Sequence, residues 1–577
     1  MSDKMDICGI HDGHNSTAAL LRDGKLIDVI QEERIVRVKN AGDFPEKSVR
    51  GFMATHGLDP RRLVLGFNGH YMNYGVWDRQ TTLEDYENAK SFNAVVRNRA
   101  KRNKTIFSLY KSRKRKKRLS VLDGLFGTSP AAVCHIEHHT AHAAAAYYGW
   151  GSKDTVLVLT CDGFGDGLCA TVSIGEQGKL RRIASVAQDN SVGRLYAFIT
   201  FLMGMMPLEH EYKIMGLAPY SGMSPEARRV CAKFAGLFAF EEKTGGMTWT
   251  RREGVPSIYA PSDFIDHVIY RERFDWVAAG LQLFMEEFLR DWVRNCIRET
   301  GIHKVALSGG VFMNVKANKI IYELPELEEI FIFPSCGDES NAIGAAYQTF
   351  IDRGGTYIEP LKAIYFGDAI TDQDVDEALR VYKMKNAVHV EYLEDIEKKV
   401  AGLLADGEIV GRVKGKMEFG ARALGNRSIL ANPSKQNVVR VINEIIKSRD
   451  FWMPFAPSVL AESSEKYFIK PKPMISPYMM MTFDTHPDQR QKIMAALHPY
   501  DFTARPQEVI EEWNPDYYRL IKYYEEITSE SLILNTSYNL HGHPIVYHPV
   551  DALDVFDNSG LEYLAIGNFL LKKNSVK

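Results

Sequence analysis

The chain has few cysteines and no long run of apolar residues, and both shortages restrict what it can be. Its 577 residues include seven cysteines, none in the CxxC spacing of a zinc ribbon. We therefore expect reduced thiols and a cytoplasmic protein rather than a disulfide scaffold. The first residues are polar, so no secretory signal is predicted. The longest apolar stretch, 195–208, has 14 residues, whereas a membrane-spanning helix needs about 20.

The chain also lacks an excess of charge of either sign. Its 71 basic and 73 acidic residues give a net charge of -2, which argues against a protein that coats nucleic acid. The length is too great for one core and predicts two or three domains. Glycine, proline and turn residues accumulate at 355–372, where we place a boundary. The predicted domains are 1–360 and 361–577.

One segment departs from this balanced charge. Residues 97–118 contain twelve lysines or arginines and no acidic residue. Such a run is typical of a solvated basic helix or loop. It would equally suit contact with an anionic acceptor, a protein partner or RNA. The sequence leaves these interpretations open.

Two segments repeat one design of strand, polar turn and strand. Apolar runs at 6–10 and 17–21 flank a polar turn, and runs at 155–161 and 168–174 flank a second one. Each turn contains aspartate and glycine. The repetition predicts a duplicated nucleotide-binding lobe in an α/β protein.

An alanine-rich segment at 137–148 predicts a helix that carries three histidines. His138 and His142 are four residues apart, so their imidazoles leave the same helical face. Neutral imidazoles on one face suit a divalent transition metal. A pair of partly exposed helix histidines is the alternative. Further ligands would come from Asp162 and Asp338, although acidic turn residues often only stabilise their turns.

Glycines follow the strand predicted at 304–307 and precede a predicted helix. Such glycines let the backbone approach a ligand, and the amides of a helix N-terminus favour phosphate. Helix packing is the alternative explanation for them. There is no Walker P-loop, so a nucleotide would be held in another way. The candidate nucleotide contacts in this segment, and in a similar glycine-containing segment near residue 216, are Lys213, Gly216, Ser308, Gly309, Gly310, Val311 and Asn314.

The second half of the chain is rich in possible phosphate-binding side chains. Guanidinium groups bind phosphate through paired hydrogen bonds, and lysine adds a point charge. A small dianion such as carbamoyl phosphate would need about this many donors, and scattered surface charge is the alternative. The side chains are those of Arg422, Arg427, Lys447, Arg449, Arg505 and Asn535.

Taken together and in this order, the motifs resemble those of the nodulation and antibiotic O-carbamoyltransferases. The resemblance runs nearly from end to end. It implies an actin-like ATPase domain fused to a domain that resembles threonylcarbamoyl-adenylate synthase. It also implies hydrolysis of carbamoyl phosphate, formation of carbamoyl-adenylate from ATP, and transfer of the carbamoyl group to a hydroxyl of a small acceptor. The matching motifs lie at 11–16, 32–34, 138–142, 162–163, 213–217, 308–311, 338 and 422–428.

The resemblance implies roles for individual residues. The metal, expected to be Fe²⁺, would be held by His138, His142, Asp162 and Asp338. His14 would be the general base for the acceptor. Nucleotide contacts would come from Asp12, Lys39, Lys213, Gly216, Ser308, Gly309, Gly310, Val311 and Asn314. Carbamoyl phosphate and ATP with Mg²⁺ would be handled by Arg422, Lys447 and Arg505, assisted by Arg427 and Asn535.

Other interpretations remain. Hydrogenase-maturation carbamoyltransferases normally carry CxxC pairs and an acylphosphatase domain, and tRNA-threonylcarbamoylating proteins lack this kind of fused C-terminal domain. A non-catalytic ATP-binding regulator or RNA-binding module would not need these histidines and arginines. A sugar-kinase-like enzyme fits the fold alone, which does not settle function. We expect ATP, carbamoyl phosphate and a small hydroxylated acceptor as partners, without membrane or nucleic acid. A homodimer is left as an option.

Overall fold

The computed structural model describes residues 5–69, 79–87, 112, 116, 118–258, 264–447 and 449–574. Most of the basic stretch at 97–118 therefore lies outside the described residues. The chain forms two compact units. The first comprises Met1–Val36 and Asn40–Leu361, and the second comprises Lys362–Lys577 together with Arg37–Lys39.

The first unit is built on two five-stranded sheets. Their strand orders correspond when both are read from the matching edge, β3-β2-β1-β4-β5 in one sheet and β8-β7-β6-β11-β12 in the other. In each sheet the three strands that come first in the chain, β1–β3 or β6–β8, are antiparallel, and the two later strands, β4–β5 or β11–β12, run parallel to the first of them. This repetition confirms the duplicated lobe and the α/β class. The strands are β1 Asp6–His11, β2 Thr17–Arg22, β3 Lys25–Gln31, β4 Val64–Asn68, β5 Ala132–Ile136, β6 Val156–Gly165, β7 Leu168–Glu176, β8 Lys179–Ala187, β9 Phe238–Phe240, β10 Trp249–Arg251, β11 Lys304–Ser308 and β12 Glu329–Ile332.

Helices cover and connect these sheets. The long amphipathic helix expected at 274–300 has those bounds. The helices of this unit are α1 Glu32–Val36, α2 Glu46–His56, α3 Arg79–Glu87, α4 His138–Trp150, α5 Val192–Leu202, α6 Glu211–Leu217, α7 Pro225–Ala235, α8 Phe264–Ile269, α9 Phe274–Thr300, α10 Val315–Tyr322 and α11 Asn341–Asp352. A further helical segment spans 118–126.

The alanines of α4 permit a close contact with α11. Both helices are buried along most of their length. At the closest point a Cβ atom on Gly344 would lie 1.8 Å from the backbone oxygen of Ala141. Alanine thus does more here than favour a helix, since small side chains let two backbones approach within contact distance.

The second unit contains an eight-stranded mixed sheet with both faces buried. On β17, Ile429 and Ala431 pack in one core and Leu430 in the other, as strand alternation requires. Its elements are β13 Tyr365–Ile370, α12 Asp372–Val381, β14 Val388–Tyr392, α13 Ile396–Asp406, β15 Val410–Val413, β16 Gly415–Glu418, β17 Arg427–Ala431, α14 Asn437–Arg440, β18 Ala456–Leu460, α15 Ser464–Tyr467, β19 Phe468–Ile469, β20 Asp484–Thr485, β21 Gln507–Val509, α16 Pro515–Thr528, β22 Leu532–Ser537, α17 Pro549–Asp557, β23 Tyr563–Ile566 and β24 Phe569–Lys573.

A short segment from early in the chain belongs to this second unit. Arg37 donates to the backbone oxygen of Ile545 at 2.8 Å. Its Nε also lies 3.5 Å from Oδ1 of Asp551. These contacts explain why Arg37–Lys39 separates from the first unit, within which the sequence had placed it.

The described helices include none that is both long enough and apolar enough to cross a membrane.

Replacing Gly344 by alanine should lower the free energy of unfolding by about 2–3 kcal/mol, because the new methyl group would overlap the α4 backbone. Gly51→Ala in α2 is the matched control, since a Cβ atom there meets open space. It should be neutral or gain up to about 1 kcal/mol. Urea titrations followed by circular dichroism compare the variants. Equal stabilities would contradict the close helix contact.

Candidate metal and anion sites

The start of α4 is held in a defined place. Glu137 caps the helix by accepting from the backbone N–H groups of His139 and Thr140. The N–H of His138 donates to Oδ2 of Asp166 at 3.0 Å. Gly165 leaves room for the imidazole, since a Cβ atom there would lie 2.0 Å from Cγ of His138. The backbone around the first histidine is therefore fixed on both sides.

The four residues expected to bind metal come together in the first unit. Nε2 of His138 lies 3.4 Å from Oδ2 of Asp162 and 3.5 Å from Oδ1 of Asp338. Nε2 of His142 lies 3.5 Å from the same Asp338 oxygen. One ligand atom from each side chain lies within 4.8 Å of the other three. We call these four residues the His–Asp cluster.

The chemistry of the His–Asp cluster fits a divalent metal ion. Nε2 of His138 and Oδ1 of Asp338 are buried and have no hydrogen-bond partner among the described residues. Buried polar atoms are normally paired. Two such atoms that converge on one point, together with a second imidazole and a second carboxylate, form a donor set suited to a transition metal.

The electrostatics of the His–Asp cluster also favour a positive charge at its centre. Burial by itself lowers the pKa of His138, but Asp338 and Asp162 outweigh burial and raise that pKa to about 9. Burial likewise opposes ionisation of Asp338, yet His138 and His142 hold its pKa far below the usual range. The carboxylates thus stay ionised and attract a cation.

Hydroxyl and amide groups surround His142. Oγ of Ser308 and Oγ of Ser340 each lie 3.3 Å from Nδ1 of His142. Nδ2 of Asn341 lies 3.0 Å from Nε2. Ser308, which the sequence assigned to the adenosine pocket, therefore has its hydroxyl beside a residue of the His–Asp cluster.

The polar turn after β1 lies beside the same cluster. Burial lowers the pKa of His14, and Asp338 acts on this pKa in the opposite direction. A neutral ring suits the general base that the sequence predicted. Asp12, which the sequence predicted to contact the nucleotide, accepts two hydrogen bonds from Arg118, at 2.7 and 2.8 Å. Both partners are buried, so Asp12 holds the turn in place.

The predicted nucleotide contacts lie near the ends of β6 and β11. Gly309 has φ +103°, and a Cβ atom there would lie 2.3 Å from the backbone oxygen of Cys161, so glycine is needed for packing. The N–H of Gly310 donates to Oδ1 of Asp162 at 2.9 Å. Asn314 caps α10 by accepting from the N–H of Ala317. Val311 is buried in the same turn, and α6 carries the buried residues Lys213 and Gly216.

The second unit gathers five cations, which we call the cation cluster: Lys39, Arg422, Lys447, Arg449 and Arg505. Burial and the charges of Arg449 and Lys39 lower the pKa of Lys447. Burial and the charges of Arg422 and Arg449 likewise lower the pKa of Arg505. An arginine stays protonated in proteins. The lowered pKa of Arg505 therefore reports the cost of burying its charge and, in addition, repulsion from the neighbouring arginines.

The hydrogen-bond partners of Lys447 are neutral oxygens. Its Nζ donates to Oγ of Ser537 at 3.0 Å and to Oδ1 of Asn539 at 3.1 Å. The charged groups that shift its pKa are all cations. Positive charge gathered in this way favours a bound anion.

Two other residues predicted for this site, Arg427 and Asn535, donate hydrogen bonds to oxygens of the protein itself. Arg427 donates to the backbone oxygens of Lys414 and Asn426, and it is fully buried. Nδ2 of Asn535 donates to Ala423 O at 3.1 Å and to Ser458 Oγ at 3.0 Å. These contacts support the turn that carries Arg422.

Two family models match the chain. One, described as the carbamoyltransferase N-terminus, matches residues 6–347, and the other, the carbamoyltransferase C-terminus, matches residues 401–573. The chain belongs to the carbamoyltransferase family. It is therefore a transferase enzyme, and the matched regions include every residue of both clusters.

Named relatives resemble this carbamoyltransferase over nearly its whole length. An uncharacterized protein of Methanocaldococcus jannaschii is 30% identical and covers 98% of this chain and 99% of its own. Nodulation protein NolNO of Sinorhizobium fredii is 29% identical and covers 97% of this chain and 79% of its own. The solved structure of full-length HypF, with bound phosphate and nucleotide, covers 61% of this chain and 56% of that chain. Its 14% identity and TM-score of 0.32 are too low to support an argument.

Sequence analysis missed several residues beside the His–Asp cluster. Nδ2 of Asn68 lies 2.8 Å from Nδ1 of His11 and 3.4 Å from Nδ1 of His138. Asn68 ends β4, which runs parallel to β1. Because the carboxyl ends of parallel strands meet at one edge, its position was a usable signal. Ser340 and Asn341 gave no comparable signal.

His142→Ala should abolish stoichiometric binding of a divalent transition metal, because it removes one of two imidazole ligands from the His–Asp cluster. His139→Gln is the matched control. His139 belongs to the same helix, but its Nδ1 pairs with Thr160 at 2.8 Å and it is outside the cluster. Elemental analysis after metal loading and dialysis measures the outcome. Equal metal content in both variants would argue against these ligands.

The lowered pKa of Lys447 predicts that anion binding weakens as pH rises. A bound anion favours the charged ammonium, so affinity is highest at low pH and falls as pH passes through the lowered pKa. Sulfate isolates this effect because it remains a dianion. Calorimetric titrations from about pH 6 to about 9.5, below the usual lysine pKa, should show the decline. Lys447→Arg should give a flat profile, and a flat wild-type profile would contradict the prediction.

Proposed function

We propose that this carbamoyltransferase is an ATP-dependent O-carbamoyltransferase that works through carbamoyl-adenylate. The observation that carries the proposal is the cation cluster of the second unit. In this cluster, burial and neighbouring cations lower the pKa of Lys447 and of Arg505. Carbamoyl phosphate and the triphosphate of ATP are the anions that this proposed reaction brings to such a site.

The cation cluster supports catalysis through its arrangement before the substrate arrives. Like charges gathered at one place repel one another, and a bound polyanion relieves that repulsion. The charges are already in place when negative charge develops on the phosphoryl group, so little reorganisation is needed. Arg422, Lys447 and Arg505 are the proposed catalytic cations, and Mg²⁺ is proposed to accompany ATP.

The proposed reaction has two stages. In the second unit, water cleaves carbamoyl phosphate to carbamate and phosphate. A carbamate oxygen then attacks the α-phosphorus of ATP, which gives carbamoyl-adenylate and releases pyrophosphate. In the first unit, an acceptor hydroxyl attacks the carbamoyl carbon and AMP leaves. Adenylation is needed because charge and resonance make carbamate itself a poor electrophile.

The His–Asp cluster supports the second stage. A divalent metal, proposed to be Fe²⁺, would supply positive charge that holds and polarises the phosphate side of the adenylate. His138, His142, Asp162 and Asp338 would bind this metal. His14 would take the proton of the acceptor hydroxyl, since burial keeps its ring neutral.

The proposed acceptor is a small hydroxylated molecule, either a saccharide or a natural product. A relative of this chain is named as a nodulation protein, and the motifs resemble those of nodulation and antibiotic O-carbamoyltransferases, which supports a small hydroxylated acceptor. We further propose that the enzyme acts in the cytoplasm, since ATP and carbamoyl phosphate are intracellular metabolites.

Arg505→Ala should reduce formation of carbamoyl-adenylate by about 100-fold or more, because it removes a preorganised cation from the proposed site. Mass spectrometry of protein incubated with carbamoyl phosphate, ATP, Mg²⁺ and Fe²⁺, without acceptor, measures the adenylate and pyrophosphate. Arg519→Ala is the control, since this arginine is 49% exposed and pairs with Asp516 on the surface. It should behave as the wild type.

Absence of carbamoyl-adenylate from folded wild-type protein would contradict the first stage of the proposal. Equal yields from Arg505→Ala and the wild type would remove Arg505 from it.

A further inference from the structure

Ser340 lies in the turn that leads into α11 and is fully buried. Its Oγ donates to the backbone oxygen of Gly337 at 2.7 Å. The same Oγ lies 3.3 Å from Nδ1 of His142. A carbonyl oxygen can only accept a hydrogen bond, so the single hydroxyl proton of Ser340 points to Gly337.

That direction fixes the position of the hydrogen on His142. Because the proton of Ser340 is turned to Gly337, its Oγ presents lone pairs to Nδ1, which favours hydrogen on Nδ1. A neutral imidazole with hydrogen on Nδ1 has its lone pair on Nε2. The amide nitrogen of Asn341 lies 3.0 Å from Nε2 and can donate to that lone pair. Hydrogen on Nδ1 and a lone pair on Nε2 therefore suit both Ser340 and Asn341.

Nε2 is also the atom of His142 that faces the centre of the His–Asp cluster, 3.5 Å from Oδ1 of Asp338. We propose that Ser340 is a positioning residue that presets His142 as a metal ligand. It holds the hydrogen on Nδ1 and so places the lone pair of the ring on Nε2, the atom that would bind the metal. The inference rests on the metal site of the proposed function and adds a residue that the donor set does not contain.

Ser308 provides a second acceptor for the same hydrogen. It ends β11, and its Oγ also lies 3.3 Å from Nδ1 of His142. Two hydroxyls from different parts of the fold thus hold one N–H group. Loss of Ser340 alone should leave Ser308 as a partial replacement, and loss of both should leave a buried N–H group unpaired.

The test measures the affinity of the purified full-length protein for Co²⁺ by chelator competition, with the visible absorption of bound Co²⁺ as a second signal. Ser340→Ala should weaken binding about 10-fold, and the Ser308→Ala/Ser340→Ala double variant about 100-fold, the range for partners of metal-bound histidines. Ser48→Ala is the matched control. Its hydroxyl is also buried, but it donates to Glu32 at 2.6 Å, away from the cluster. Its affinity for Co²⁺ should equal that of the wild type.

The outcomes separate this inference from the proposed function. If the wild type binds Co²⁺ and Ser340→Ala binds it within about twofold, the role of Ser340 is overturned while the metal site stands, since a true partner contributes at least about 10-fold. If the wild type binds neither Co²⁺ nor Fe²⁺, the metal site fails and the inference fails with it.

A second measurement does not depend on the folding of the serine variants. Nitrogen-15 spectra of metal-free, histidine-labelled wild-type protein show which ring nitrogen carries hydrogen. A spectrum of His142→Gln identifies the signals of His142. Hydrogen on Nδ1 is the expected result, and hydrogen on Nε2 alone would overturn the proposal.

Discussion

The contact between α4 and α11 is the constraint on which the first unit's site depends. Where Gly344 passes Ala141 there is no space for a side chain, so the two helices have one relative position. His142 comes from α4, whereas Asp338 and Asn341 come from the turn and first residue of α11. The helix contact therefore sets the distance between the second imidazole and the carboxylate that it faces.

Much of the fold could be predicted because its signals are local. Alternating apolar runs separated by polar turns predicted both hairpins, and the helix at 274–300 followed from its amphipathic pattern. Spacing alone placed His138 and His142 on one helical face. The structure adds the reason for the alanines between and after them, which is close packing rather than helix propensity alone.

The surroundings of the sites could not be predicted, because they depend on which atoms meet in three dimensions. From the sequence, Ser340 is an ordinary turn residue before a helix. Only the positions of Gly337 and His142 show that its hydroxyl donates to the first and lies beside the ring of the second. Arg427 was predicted as a phosphate ligand from its residue type, and only the structure shows that its Nη1 atom donates to backbone oxygens. Repulsion among the members of the cation cluster likewise arises from residues distant in sequence.

The placement of Arg37–Lys39 in the second unit bears on how the gene can be divided. A fragment encoded from Lys362 onward would lack the guanidinium that binds Ile545 and lies beside Asp551. It would also lack the ammonium of Lys39, which acts on Lys447. The second unit is thus not continuous in sequence, and recombination of the C-terminal half alone would not transfer all of it. A recombinant that preserves these contacts would have to carry Arg37–Lys39 together with the C-terminal half.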